Sequence, residues 1–258
     1  MTVIYPSPIF GPIHSRRLGI SLGINLLPAT GKVCSFDCLY CECGLNADHR
    51  PSTKMATREE VAETLERQLQ QMAAEGMVPD VLTFAGNGEP TLHPDFPAIV
   101  DDTRALRDRY APSARISVLS NATMVTRAAI HDALMRVDNN ILKLDTVCPT
   151  YIQRLDRPVG HYDVETTVEA LRQFGGHVIV QTMFLEGEDS EGHDVGNTSE
   201  TYVRPWLETL QHIGPQSVMI YTIDRETPIP TLRKATPERL DAIAQQVRHL
   251  GLACSVAY

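Results

Sequence analysis

The chain has 258 residues, 43% of them hydrophobic and 21% charged, with a formal net charge of −9. That length suits one sizeable domain or two small ones, and the apolar share is enough to bury a large core. The acidic balance argues against extensive nucleic-acid binding, which Lys and Arg contacts to phosphate dominate, and six cysteines over this length are too sparse for a secreted disulfide scaffold.

Met1 to Phe10 holds prolines and no basic region followed by an apolar run, so it does not read as a signal peptide. No stretch is apolar for long enough to cross a bilayer. The expectation is a cytoplasmic protein without a membrane partner. Residues 18–27 read as a first strand, leading into a loop where Cys34, Cys38 and Cys41 follow a C-x3-C-x2-C spacing. Three thiolates on one short loop can hold three corners of a cubane. A [4Fe–4S] cluster normally takes four protein ligands, so three leave one iron open to a small molecule. A zinc site built on Cys38, Cys41 and Cys43 is the alternative, but zinc usually takes four Cys or His ligands in paired short spacings, and no second C-x2-C pair follows.

Thr57 with Glu60 three residues on forms a capping box, after which Val61, Leu65, Leu69 and Met72 recur at helical spacing. A short strand over 81–85 leads into Gly86-Asn87-Gly88-Glu89-Pro90. Glycine lets backbone approach a ligand closely, and the Glu89 carboxylate can accept hydrogen bonds from an ammonium group. Helix 97–110, strand 115–119, helix 125–137 and strand 140–144 come next. Ser120 and Asn121 close the third strand, either as ligand contacts or as caps of the following helix. Lys143 and Asp145 share a face by alternation; buried charges need partners, so a salt bridge is expected, with substrate contact as the functional alternative. The polar stretch 186–199 reads as a solvated loop rather than a mobile lid. Helix 163–174, strand 178–184, helix 200–213, strand 217–221, helix 237–250 and a closing strand over 252–256 complete the chain. Trp206, spaced with Val203 and Leu210, belongs to the core, and the nine histidines, His14 and His93 included, show no metal-binding spacing.

Strand alternating with helix implies parallel strands joined by right-handed crossovers. About six such units predict an α/β fold, a partial (β/α)6 TIM-like barrel over residues 18–256 within one domain of 1–258, with function where the strands end.

The cysteine spacing, with Tyr40 just before Cys41, resembles the signature of radical S-adenosylmethionine (SAM) enzymes, in which SAM chelates the fourth iron. Gly86 to Pro90 resembles their glycine-glycine-glutamate motif, with Asn87 as the departure. The resemblance implies a barrel of that type, with Cys34, Cys38 and Cys41 as cluster ligands, and Gly88 and Glu89 at the amino group of SAM. It places Ser120 and Asn121 at ribose or carboxylate, Arg157 near the carboxylate, Lys143 and Gln181 in the lumen, and the backbone near Tyr221 against adenine. It also implies reductive cleavage of SAM to a 5′-deoxyadenosyl radical that takes hydrogen from an undefined substrate, with a reductant such as flavodoxin or ferredoxin. Ser15 to Gly19 and Tyr221 to Arg225 resemble a short branch related to wyosine synthases, which carry cysteines upstream of the motif; none precedes Cys34 here. Cys43, Cys148 and Cys254 lack the spacing of a second cluster. A glycyl-radical-enzyme activase, a tRNA base-modifying enzyme and a non-catalytic iron–sulfur regulator are the alternatives.

Overall fold

The structure, a computed structural model, describes residues 2–15, 19–48 and 51–258, without the side chain of Ser15. In chain order it runs β1 (Ile9–Ser15), β2 (Gly19–Ile24), α1 (Arg58–Ala74), β3 (Val81–Phe84), α2 (Phe96–Tyr110), β4 (Arg115–Ser120), α3 (Ala128–Leu134) and β5 (Asn139–Lys143). There follow α4 (Pro149–Leu155), α5 (Val164–Arg172), β6 (Ile179–Met183), β7 (Leu185–Gly187), α6 (Glu200–Ile213), β8 (Ser217–Tyr221), β9 (Leu232–Lys234), α7 (Pro237–His249) and β10 (Cys254–Ala257). Expected residues Arg16, Arg17 and Leu18 lie outside the described ones.

The main sheet has eight strands in the order β1-β2-β3-β4-β5-β6-β8-β10. Every pairing is parallel except β1 with β2. Each strand therefore lies beside the strand that precedes it within this sheet, as repeated right-handed β-to-α units require, and the sheet curls as the expected open barrel with helices outside. Along the strands, Leu22, Ile24, Leu82, Phe84, Val118, Leu142, Val180 and Val218 join the core under the helices. Their alternating neighbours Ser21, Gly23, Thr83, Leu119, Gln181 and Tyr221 line the lumen, as the two-residue side-chain period of a strand dictates. Phe10 of β1 lies so close over β2 that a Cβ on Gly23 would come within 2.2 Å of its ring.

The helix with the capping box forms as expected: Thr57 accepts from the Glu60 amide at 3.2 Å while Glu60 accepts from the Thr57 amide at 2.7 Å. Val61, Leu65, Leu69 and Met72 are its buried face. Trp206 is in the core, its Nε1 donating to Leu144 O and Thr182 Oγ1, each at 3.1 Å. No described helix is long and apolar enough to cross a membrane.

Several expectations are corrected. The third helix starts at Ala128 with Arg127 as its cap, so Ser120 and Asn121 do not cap it. α4, β7 and β9 were not visible in the periodicity, because each is short; β1, Ile9–Ser15, was missed because Gly11 and Pro12 interrupt its pattern. His93 sits in a loop but is buried there, its Nε2 2.8 Å from Ala56 O. The 186–199 stretch is not a solvated loop. β7 and β9 form a two-stranded antiparallel sheet, and buried Asn197 ties the return: it accepts from Leu185 N at 2.9 Å and donates to Met183 O at 2.8 Å and Asp145 O at 3.3 Å. Only residues 190–194 form an exposed tip.

Candidate functional site

The cysteine loop leaves the end of β2 and is held on both flanks through its main chain. On one side it pairs with the glycine-rich turn after β3: Val33 N donates to Asn87 O at 2.9 Å, and Glu89 N donates to Val33 O at 3.1 Å. Gly88 makes this possible, because it sits at φ 129° and a Cβ there would fall 1.8 Å from Val33 O. On the other side Asp37 N donates to Asp156 O at 2.9 Å, Leu39 N to Leu155 O at 2.9 Å and Val159 N to Ser35 O at 2.8 Å. The thiols of Cys34, Cys38 and Cys41 take no part in these main-chain bonds, and no disulfide joins the described cysteines.

Asn87, the departure from the glycine-glycine-glutamate pattern, has a structural task. Fully buried, it donates to Tyr5 O at 2.9 Å and Pro28 O at 2.8 Å and accepts from Tyr5 N at 2.8 Å. This seats the N-terminal segment against the barrel mouth. There Arg225 donates to Tyr5 Oη and to Glu42, both at 2.6 Å. Burial first, then Glu42, pushes the Tyr5 phenol up to about 12.

Glu89 is 1% exposed. Its carboxylate accepts from Thr91 N at 3.0 Å, Ser120 Oγ at 2.8 Å and Asn121 N at 2.6 Å, and from the Thr91 hydroxyl. Burial raises its pKa, against the opposing pull of those hydrogen bonds. The network joins three expected residues, Glu89, Ser120 and Asn121. Asn121 then reaches the cysteine loop, with its Nδ2 2.9 Å from Ser35 Oγ and 3.5 Å from Cys34 Sγ.

Lys143 does form the expected salt bridge with Asp145, and adds a second carboxylate, Asp156 at 2.5 Å. Desolvation lowers its pKa, but Asp145 and Asp156 outweigh that and hold it well above the usual lysine value. Tyr40 donates to the same Asp145, and the Lys143 ammonium lies 5.2 Å from the centre of its ring. Arg157, at φ 50°, pairs with Asp37 at 2.9 Å, so its guanidinium is tied to the cysteine loop.

Burial pushes Cys34 up to about 12, with Glu89 adding to it, and also raises Cys38. Cys41 goes the other way, lowered first by a hydrogen bond from Cys43 and then by Lys32. Sequence reasoning passed over Lys32, Asp37 and Asp156. The only hint was the presence of charged residues within and beside an otherwise apolar cysteine segment.

A cavity of about 480 Å³ opens in the barrel mouth, within the range of small-molecule sites. Of the expected residues, Tyr40, Cys41, Gly88, Gln181 and Tyr221 line it. Its outer rim is polar, from His14, Glu42, Asp224 and Arg225, and its depth holds Ser21 and Thr83, whose hydroxyls are 2.8 Å apart.

The donor set suits an iron–sulfur cluster: soft thiolates select such clusters, the three come from one loop, and Cys41 faces the cavity. Among the described residues no three His, Cys, Asp or Glu side chains converge on a single ion position. A cubane asks for something different, since each thiolate takes its own iron.

The Radical SAM superfamily model matches residues 29–197. A UPF0026 protein of Synechocystis sp. is 31% identical over 237 residues, covering 89% of this chain and 80% of its own length. Among solved structures, a radical SAM methyltransferase from Sphaerobacter thermophilus superposes with a TM-score of 0.67 at 16% identity, over 92% of this chain and 65% of that one. Streptococcus suis SuiB bound to S-adenosylmethionine gives 0.60 at 12% identity, over 90% and 50%. At such identities the two structures show a shared fold, and this chain spans two thirds or less of each.

Proposed function

The chain belongs to the radical SAM superfamily, and from that premise we propose that Cys34, Cys38 and Cys41 hold a [4Fe–4S] cluster beside a SAM site in the barrel mouth. When bound, these groups would supply one-electron cleavage of the SAM sulfonium to methionine and a 5′-deoxyadenosyl radical, which takes hydrogen from substrate. The chain's own residues do the rest by holding, orienting and drying the site.

The observation that carries this reading is the pairing of Val33 with Gly88, which brings the cysteine loop and the glycine-rich turn together at one wall of the cavity. Glu89 supports it further. A carboxylate buried this deeply needs a positive partner, and among the described ion pairs none includes Glu89. The ammonium of SAM would be that partner. Asn121 would turn its amide between the ligand and Cys34, while Gln181 and Tyr221 would face the nucleoside. Arg157 would act on the loop through Asp37, and the Lys143–Asp145–Tyr40 group would fix the ring of Tyr40 in the cavity wall. The substrate would meet the polar floor at Ser21 and Thr83.

The test is an anaerobic assay of the reconstituted protein with SAM and dithionite. Release of 5′-deoxyadenosine is expected, slowly and without substrate, and none from Cys38→Ala. A protein that carries the cluster and binds SAM but never releases 5′-deoxyadenosine would instead be the non-catalytic regulator.

A further inference from the structure

We propose that Lys32 raises the reduction potential of the cluster by holding a buried positive charge against the Cys41 sulfur. The inference rests on reading Cys34, Cys38 and Cys41 as cluster ligands, and it makes Lys32 a positioning residue that acts through one of them.

The side chain of Lys32 is 1% exposed, and lysine is almost never so deeply buried unless paired. Its Nζ donates to Gly44 O at 2.8 Å, and its charge bears on Cys41, whose pKa it helps to lower. Gly44 N in turn donates to Cys41 O at 2.9 Å. The lysine thus spans the cysteine segment from its entrance to its exit, and the turn that carries Cys41 also carries the carbonyl that fixes the ammonium. Its position relative to the sulfur is set by the loop itself.

The nearest carboxylate does not cancel this charge. Asp37 lies at 3.7 Å, but it already pairs with Arg157 at 2.9 Å and accepts from Asn46 N at 2.6 Å. The other buried cation near the thiols is Lys143, and two carboxylates, Asp145 and Asp156, answer it. Glu89 on the Cys34 side adds negative charge. Of these two described lysines, Lys143 acts on Cys38 but is answered by two carboxylates, whereas Lys32 is the one less answered and acts on Cys41.

Net charge and hydrogen bonds to the sulfurs are the levers by which a protein tunes such a centre. A buried cation beside a ligating sulfur favours the more negative, reduced form. The step it assists adds one electron to the oxidised cluster from a one-electron donor of the flavodoxin or ferredoxin class, which is oxidised by one electron. No bond breaks and no proton moves.

The experiment is a dye-mediated potentiometric titration, followed by electron paramagnetic resonance, on reconstituted wild type, Lys32→Gln, Lys32→Met and Lys32→Arg, with dithionite as reductant. Wild type without a cubane overturns the ligand reading before Lys32 comes into question. With about four iron per chain in each sample, the neutral variants should be at least tenfold harder to reduce, a fall of about 59 mV or more for one electron, and Lys32→Arg should stay nearer wild type. A loaded Lys32→Gln with an unchanged midpoint overturns the proposal. Should the neutral variants fail to load iron, Lys32→Arg decides: loading there alone supports a requirement for the charge, and failure of all three reduces Lys32 to a matter of shape and overturns it.

Discussion

The cysteine loop and the 186–199 segment both follow the end of a parallel strand, yet the balance of main-chain and side-chain ties differs between them. The cysteine loop is stitched by main-chain bonds to Asn87, Leu155 and Asp156. The second segment has a short backbone ladder but is tied back to the barrel by side chains, through Asn197 to Leu185, Met183 and Asp145 and through Tyr151 to Val195. Around the three thiols the main chain does most of the holding, with the Asp37 and Ser35 side chains adding to it, so that Cys34, Cys38 and Cys41 stay available for a ligand. Where no side chain is needed elsewhere, side chains do the holding.

The sharpest break of this comparison is to remove the thiols themselves. Cys38→Ala should abolish the cluster, and the triple change of Cys34, Cys38 and Cys41 to Ala should leave essentially no iron after reconstitution. About four iron per chain with a cubane spectrum in the triple variant would reveal a second cluster and bring tRNA modification forward.

Gly88→Ala attacks the backbone stitch without touching a ligand. The new Cβ meets Val33 O at 1.8 Å, and backbone strain of this kind costs about 1–3 kcal/mol. Iron loading should fall together with the melting temperature. Full loading at wild-type stability would mean that the pairing does not position the cysteines.

Glu89→Gln keeps the shape of the carboxyl group and removes its charge. SAM should bind more weakly by roughly 1.5–3 kcal/mol, the worth of a charge-assisted hydrogen bond, with iron content unchanged. Calorimetric binding at wild-type affinity would remove Glu89 from the site.

On the other side of the comparison, Asn197→Ala should lower stability in a urea melt by about 1–3 kcal/mol, because buried backbone groups lose their partner. Iron content should hold. If the cluster were lost as well, the two regions would be one cooperative unit rather than two.

The longer helices were legible in the sequence because caps and apolar spacing are local: Thr57 and Glu60 with Val61, Leu65, Leu69 and Met72 say all that is needed for α1, whereas the seven residues of α4 were missed. The cysteines were legible for the same reason. Asn87 reads as an imperfection until Tyr5, 82 positions away, is found against it. Lys32 and Asp156 were passed over because their burial depends on segments that meet only in three dimensions, and charge alone suggests the surface. β7 and β9 are too short to show a period, and their pairing spans the whole of α6 and β8.

Among the described residues the strand order starts at β1 and ends at β10 with no pairing between them. A closed barrel fixes its own radius through strand number and stagger, whereas this wall has a seam. Neither strand number nor stagger therefore fixes the width of this mouth, which is set by the twist between neighbouring strands.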